Sequence, residues 1–396
     1  MTLKRYPAFS QKFDFQDGEN DLYLKLKSLK ESGDLIYDLT VSNPTQSKLT
    51  YPAEAIQHSL SQSESLVYEP DPKGLLLARD SIARYYEEKG ISVSTEDLFL
   101  VSSSSEAISY LLKLFCDPDD EVLIPNPGYP LFEFLSIMEN VVAQSYSLDE
   151  KRDWKINFPS LESKISKRTK LIFVVSPNNP TGSILEDDEF LRLKEIALSN
   201  GIAIVIDEVF SDYTQKGAVH RTYLDSDAPI FVINGISKLL ALPQLKLSWI
   251  LLSGTEDWKK EVKENLELVS DTFLSVNTPV QVALSELMHW RKMIQGQVQR
   301  RIDRNIQTAI DSLGSSHLIS VLIPKAGWYL ILQVSKYVSD EHFCQELLTE
   351  QKVLVHPGSM FGFDPKNCKI ILCLLPEPEI FKEGILRLDS FLRSKS

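Results

Sequence analysis

The chain has 396 residues, 43% of them hydrophobic and 24% charged, a balance ordinary for a globular protein and a length sufficient for two domains. Its net charge of −13, with only short basic clusters such as 164–170, argues against a nucleic-acid surface. No apolar run reaches membrane-spanning length and the first residues lack the apolar core of a secretory signal, so a cytoplasmic protein without a membrane partner is expected.

In chain order, residues 1–47 read as an arm followed by the first segment of a small domain. Leu22, Leu24, Leu26 and Leu29 give helical periodicity over Asp21–Glu31. Residues 36–41 alternate like a strand and end at Asn43-Pro44. A central α/β block is expected over 48–285. It holds helices at 75–88 and Ser104–Phe115 and strands at 121–125, 170–176, 202–206 and 230–233, with 247–252 returning as an antiparallel strand. A long polar helix, 286–313, connects to a last lobe within 286–396. That lobe has strands at 320–324, 328–334, 353–356 and 370–375 and helices at 341–350 and 381–393. The expected fold is α/β, with a mostly parallel central sheet sandwiched by helices and a smaller α+β domain made from both chain ends. The cleft between the two is the expected substrate site. Cys116, Cys344, Cys368 and Cys373 form no CxxC pair and read as reduced buried thiols. The six histidines show no ligand spacing, so no metal is expected.

Three of the expected strands end in polar residues. The first runs into Pro177-Asn-Asn-Pro-Thr-Gly182, the second into Asp207-Glu208, the third into Asn234-Gly-Ile-Ser-Lys238. Parallel sheets bind ligands outside the carboxyl ends of their strands, so an amide, a carboxylate and an amine meet on one rim. That set suits a pyridine aldehyde cofactor, with the amine forming an imine and the carboxylate keeping the ring nitrogen protonated.

Other motifs fall in a consistent order. They are Tyr68-Glu-Pro-Asp-Pro-Lys-Gly74 followed by Ala78-Arg79, the stretch from Asp117 to Pro130 containing Asn126-Pro-Gly-Tyr129, Pro324 to Gly327, and Val355-His-Pro-Gly-Ser-Met-Phe-Gly362. Together with Asn178-Asn-Pro-Thr-Gly182, Asp207-Glu-Val-Phe210 and Ser237-Lys238, they resemble the class I/II aminotransferases among the fold-type I pyridoxal-phosphate enzymes, over nearly the whole chain. The resemblance implies pyridoxal 5′-phosphate as cofactor, an amino acid and a 2-oxo acid as substrates, and a homodimer with shared active sites. It implies Lys238 as the Schiff-base residue and proton shuttle, Asp207 on the pyridinium nitrogen, Asn179 on the ring O3′ and near the substrate carboxylate, and Tyr129 stacked on the ring. Ser237 belongs to the same cofactor set. Ser104 and Ser105 would meet the phosphate at a helix N-terminus, where free N–H groups favour anions. Ser103 and Glu106 also read as a capping box for that helix. Tyr68 would reach the phosphate of the neighbouring subunit.

Four positions depart from the family pattern. Lys246 stands where an arginine usually grips the phosphate, keeping the charge but losing the bidentate fork. Gly235 replaces a hydroxyl residue three before the lysine, and Phe210 replaces a tyrosine that donates to O3′. Ile370 or Ile371 occupies the place of the arginine that clamps a substrate α-carboxylate, with Lys369 the nearest cation. Ser42, Asn43, Asn179 and Lys369 are therefore the candidate substrate contacts. The leading expectation is ping-pong amino transfer. A carbon–sulfur β-eliminating lyase on the same scaffold and a non-catalytic binding protein are the alternatives.

Overall fold

The computed structural model describes residues 9–13, 21–274, 276–335, 337 and 339–395. Much of the expected N-terminal arm lies outside them. The dominant element is an eight-stranded sheet. Its order is Leu98–Val101, Ser248–Ser253, Ile230–Gly235, Ala203–Asp207, Thr169–Val175, Glu121–Asn126, Val142–Asp149 and Lys155–Ile156. The run from Ile230–Gly235 to Val142–Asp149 is parallel throughout. Ser248–Ser253 is antiparallel to both of its neighbours, as its sequence position predicts. The central strands are buried on both faces, which explains their continuous Val/Ile/Phe runs.

Residue parity assigns the faces. Phe173, Val205, Ile233, Ile250 and Val101 belong to the core under the helix Ser104–Phe115. Ile172, Ile204, Val232, Trp249 and Leu251 belong to the opposite core, under the helices Leu76–Glu87, Asp187–Asn200 and Thr278–His289. A third core joins a second, four-stranded sheet to the helices Asp21–Glu31, Arg291–Leu313, Asp340–Gln351 and Pro378–Ser394. This lobe draws on both the early and the late residues of the chain.

Three expected elements change. The strand at 36–41 shrinks to Tyr37–Asp38, which pairs with Val353–Leu354, because Asp38 Oδ1 accepts from the Thr40 N–H and hydroxyl at 2.9 and 2.5 Å and turns the chain away. The strand at 353–356 splits into Val353–Leu354 and His356–Pro357, which pair in different sheets. The connector expected at 286–313 is two helices, Thr278–His289 and Arg291–Leu313, broken at Trp290. Asn277 caps the first by accepting from the Val280 N–H at 3.2 Å, so the helix begins well before 286. No described helix is long and apolar enough to cross a membrane.

Candidate active site

Alternation along the strands sends Asp207 to the helix Ser104–Phe115 side of the sheet and Glu208 to the other side. Asp207 is 8% exposed, and its Oδ1 accepts from the Val209 N–H at 3.1 Å. Burial pushes its carboxyl up to about 6, against the pull of that N–H and of the Lys238 charge. Glu208 accepts from the Thr222 hydroxyl at 2.6 Å, and burial pushes it up to about 8. Glu208 thus packs away from the rim.

Lys238 sits in the short helix Ile236–Leu239 that follows the strand Ile230–Gly235. Its Nζ lies 5.0 Å from the centre of the Trp328 ring and 5.7 Å from that of Phe210. Burial against these rings lowers the amine's pKa, while Cys373 and Asp207 act in the opposite direction. Phe210 is buried edge-on against Trp328 and Tyr329. The Tyr213 hydroxyl donates to the Lys238 carbonyl at 2.7 Å.

Asn179 is 9% exposed and its Oδ1 is buried with no partner among the described residues. Its side chain and that of Ser42 lie near the Tyr329 hydroxyl and oppose the rise in that tyrosine's pKa, which burial dominates; Tyr129 raises it further. Tyr329 therefore has Ser42, Asn179 and Tyr129 in its surroundings. Its cross-strand partner is Cys373, the thiol that Lys238 feels. The second lobe is fastened over this rim by backbone bonds from Ala326 N to Gly182 O (3.1 Å) and Gly327 N to Tyr213 O (2.8 Å).

Ser104 and Ser105 open the helix Ser104–Phe115, and Ser103 caps it by accepting from the Glu106 N–H at 3.1 Å. The Glu106 carboxylate returns to the Ser102 N–H at 2.6 Å, one residue before the cap expected from the sequence. Ser237 lies half-buried beside Lys238, and Lys246 is exposed with φ of +52°.

Three candidates stand apart from this cluster. Tyr68 is 69% exposed. Asn43 spends its side chain on the Thr45 N–H and hydroxyl, at 3.1 and 2.7 Å. Lys369 is 3% exposed and paired with Glu150 at 3.1 Å between Trp154 and Phe363. It shares a strand face with Ile371 and Cys373, but at strand rise it lies roughly 13 Å along the strand from Cys373. Arg79, part of the quoted motif, is structural: it bonds the Gly74 and Thr95 carbonyls and pairs with Asp71 and Glu96. Sequence reasoning did not find Trp328, Tyr329 or Cys373. The quoted Pro324–Gly327 segment stops one residue short of the first.

Over residues 36–380 the chain matches the family described as aminotransferase class I and II, and it belongs to that family. A glutamate-pyruvate aminotransferase of Haemophilus influenzae is 29% identical over 374 residues, 92% of each chain. An alanine aminotransferase of Mycobacterium bovis is 26% identical over 406 residues, 99% of this chain and 94% of the relative. Among solved structures, an alanine aminotransferase from Pyrococcus furiosus gives a TM-score of 0.89 at 24% identity, covering 98% of this chain and 100% of the other. An aspartate aminotransferase from Thermotoga maritima gives 0.84 at 21% identity, covering 97% and 100%. The fold is that of the fold-type I enzymes, and the protein is a pyridoxal-phosphate-dependent aminotransferase. The residues present fit the cofactor. A buried carboxylate, an amide oxygen without a partner and a desolvated amine share one rim with a helix N-terminus suited to phosphate.

Proposed function

We propose that Lys238 bonds covalently to the cofactor aldehyde, that Asp207 holds the ring nitrogen's proton, and that Asn179 and Tyr129 position the ring. The observation that carries this reading is the desolvated Lys238 amine on one rim with the buried Asp207 carboxylate, each shifting the other's pKa. When bound, the cofactor supplies an electron sink for the substrate α-carbon. A lysine with lowered pKa is a neutral amine over more of the pH range, fit to form the bond and, once released, to move the proton at the α-carbon. Trp328 and Phe210 exclude water from its Nζ. The reaction is ping-pong, with the donor's oxo acid leaving before the acceptor enters. Ser104, Ser105, Ser237 and Lys246 face the phosphate, and Tyr68 serves the partner subunit of a homodimer. The domain division is 48–285 for the cofactor-binding block, with the described residues of 1–47 and of 286–396 forming the smaller lobe against it. Four free thiols support a reducing cytoplasmic setting.

The substrates are an α-amino acid and a 2-oxo acid, and the relatives' names put alanine, glutamate and pyruvate first among those to test. Ile371, buried among Ile331, Phe361 and Phe363, offers no charge to a carboxylate. Ser42, Asn179 and Tyr329 are the polar groups that meet it instead, with Lys369 held back by Glu150. The test is a spectroscopic half-reaction screen of the purified holoenzyme against a panel of amino acids and their decarboxylated amines. Conversion of the cofactor to its amine form by alanine or glutamate is expected, and borohydride should fix the cofactor on Lys238. Conversion only by amines overturns the carboxylate reading, and an adduct on another lysine overturns the catalytic one.

A further inference from the structure

The hydroxyl missing at position 235 has a replacement across the strand pair. Gly235 and Ser248 are direct cross-strand partners, and Ser248 is also the partner of Val101, the last strand residue before Ser102–Ser105. Ser248 therefore stands at the rim between the turn that carries Lys238 and the helix that opens with Ser104 and Ser105. Parity puts its side chain on the face of Ile250 and Val101, which is the face that this helix covers. A Cβ built on Gly235 would lie 2.1 Å from Ser248 Oγ, so the serine hydroxyl fills the space a side chain at 235 would need. Gly235 is extended, with φ of −177°, so the reason for glycine is this contact and not backbone strain. Ser248 is 3% exposed, so it stands inside the rim and not on the outer surface.

We propose that Ser248 donates a hydrogen bond to the cofactor phosphate, in place of the hydroxyl that position 235 does not carry. The proposal rests on the placement of the phosphate at the N-terminus of Ser104–Phe115. A hydroxyl fits the role because it donates to an anion without adding charge, leaving the cation to Lys246 two residues upstream. The pair Gly235 and Ser248 then acts as one unit: the glycine makes room, and the serine supplies the donor.

Cofactor-free enzyme separates this from a packing role. Dissociation constants for pyridoxal phosphate and for pyridoxal, which lacks the phosphate, are measured by titration for the wild type and for Ser248→Ala. The expected result is a loss of about tenfold in affinity for pyridoxal phosphate, as for one charge-assisted hydrogen bond, with pyridoxal affinity unchanged. Unchanged pyridoxal binding also certifies that the variant is folded. Equal affinity of wild type and variant for pyridoxal phosphate overturns the proposal, as does an equal loss for both ligands. Lys246→Ala is the control for the underlying placement. If it too leaves the ratio of the two affinities unchanged, the phosphate lies elsewhere. If it lowers that ratio while Ser248→Ala does not, the phosphate placement stands and Ser248 has no part in it.

Discussion

Asp207 is held where a carboxylate is least comfortable, and that discomfort is measurable without any substrate. Its folded-state pKa of about 6 exceeds the ordinary 3.8, chiefly through burial. Below the lower value the group is neutral in both folded and unfolded chains and carries no penalty. As pH rises through the upper value the folded state must hold a buried charge, a loss of roughly 3 kcal/mol when complete. Cofactor-free wild type should therefore melt progressively below Asp207→Asn as pH goes from about 4 to about 7, and a cationic ring nitrogen should reverse the order in the holoenzyme. Parallel melting curves at all pH values would show that the carboxylate is not desolvated as drawn. Phe210 gives a second residue-level expectation. Its ring lies 5.7 Å from Lys238 Nζ, and the Tyr213 hydroxyl is already bonded to the Lys238 carbonyl, so Tyr213 does not take the place of the missing phenol. Phe210→Tyr should restore a donor there and lower the pH midpoint at which the cofactor's visible band titrates. An unchanged or higher midpoint would mean that position 210 does not face that oxygen. Lys246→Ala should weaken cofactor affinity by about ten- to a hundredfold, the effect of one charge-assisted contact, read by equilibrium titration.

At the scale of elements, the site depends on how the rim loops meet the second lobe. Gly182 has φ of +70°, and a Cβ there would meet the Ala326 carbonyl oxygen at 2.4 Å. Gly182→Ala combines left-handed strain with a clash against backbone, so it should lower the melting temperature by several degrees or more. It should also weaken substrate binding, because Asn179 sits in the same loop. A variant that melts and binds like wild type would show that the lobes dock without this contact. The same scale explains what the sequence could reveal. Asp207, Asn179 and Lys238 were readable because each ends an apolar run, and parallel strands deliver their carboxyl ends to one rim. The strand Val142–Asp149 was not read, because most of its residues are only partly covered or exposed and its sequence, Val-Ala-Gln-Ser-Tyr-Ser-Leu-Asp, lacks a buried apolar run. Tyr329, Cys373 and Ser248 were hidden for a different reason. Their places follow from antiparallel pairings, Tyr329 with Cys373 and Ser248 with Gly235, across spans that local periodicity does not encode. Lys369 shows the converse: the nearest cation in sequence to the missing arginine is bound to Glu150 in space.

At the scale of the whole molecule, one phosphate candidate is left without a place in its own subunit. Tyr68 is 69% exposed on a loop beside Leu66 and Val67, which are 89% and 53% exposed. Tyr68 and Leu274 line a shallow groove together with Leu75 and Leu100. Phe273, Leu274 and Leu268 add further uncovered apolar surface on and just after the helix Glu256–Phe273. Uncovered apolar residues of this size are the usual signature of a surface that another chain covers. A two-fold dimer through this face would let each Tyr68 act on the site across the interface, and that arrangement makes a prediction about mixtures. Consider subunits carrying Lys238→Ala mixed with subunits carrying Tyr68→Ala. If Tyr68 acts across the interface, one site of each mixed dimer receives both lesions and the other receives neither. Random mixing then restores about a quarter of wild-type sites, although neither parent has an intact one. The assay is run at limiting cofactor, where loss of the Tyr68 hydroxyl weakens the phosphate contact most visibly. If Tyr68 serves its own subunit, every site in the mixture carries at least one lesion. Activity then stays at the average of the two parents, and Tyr68 has no role in the neighbouring site.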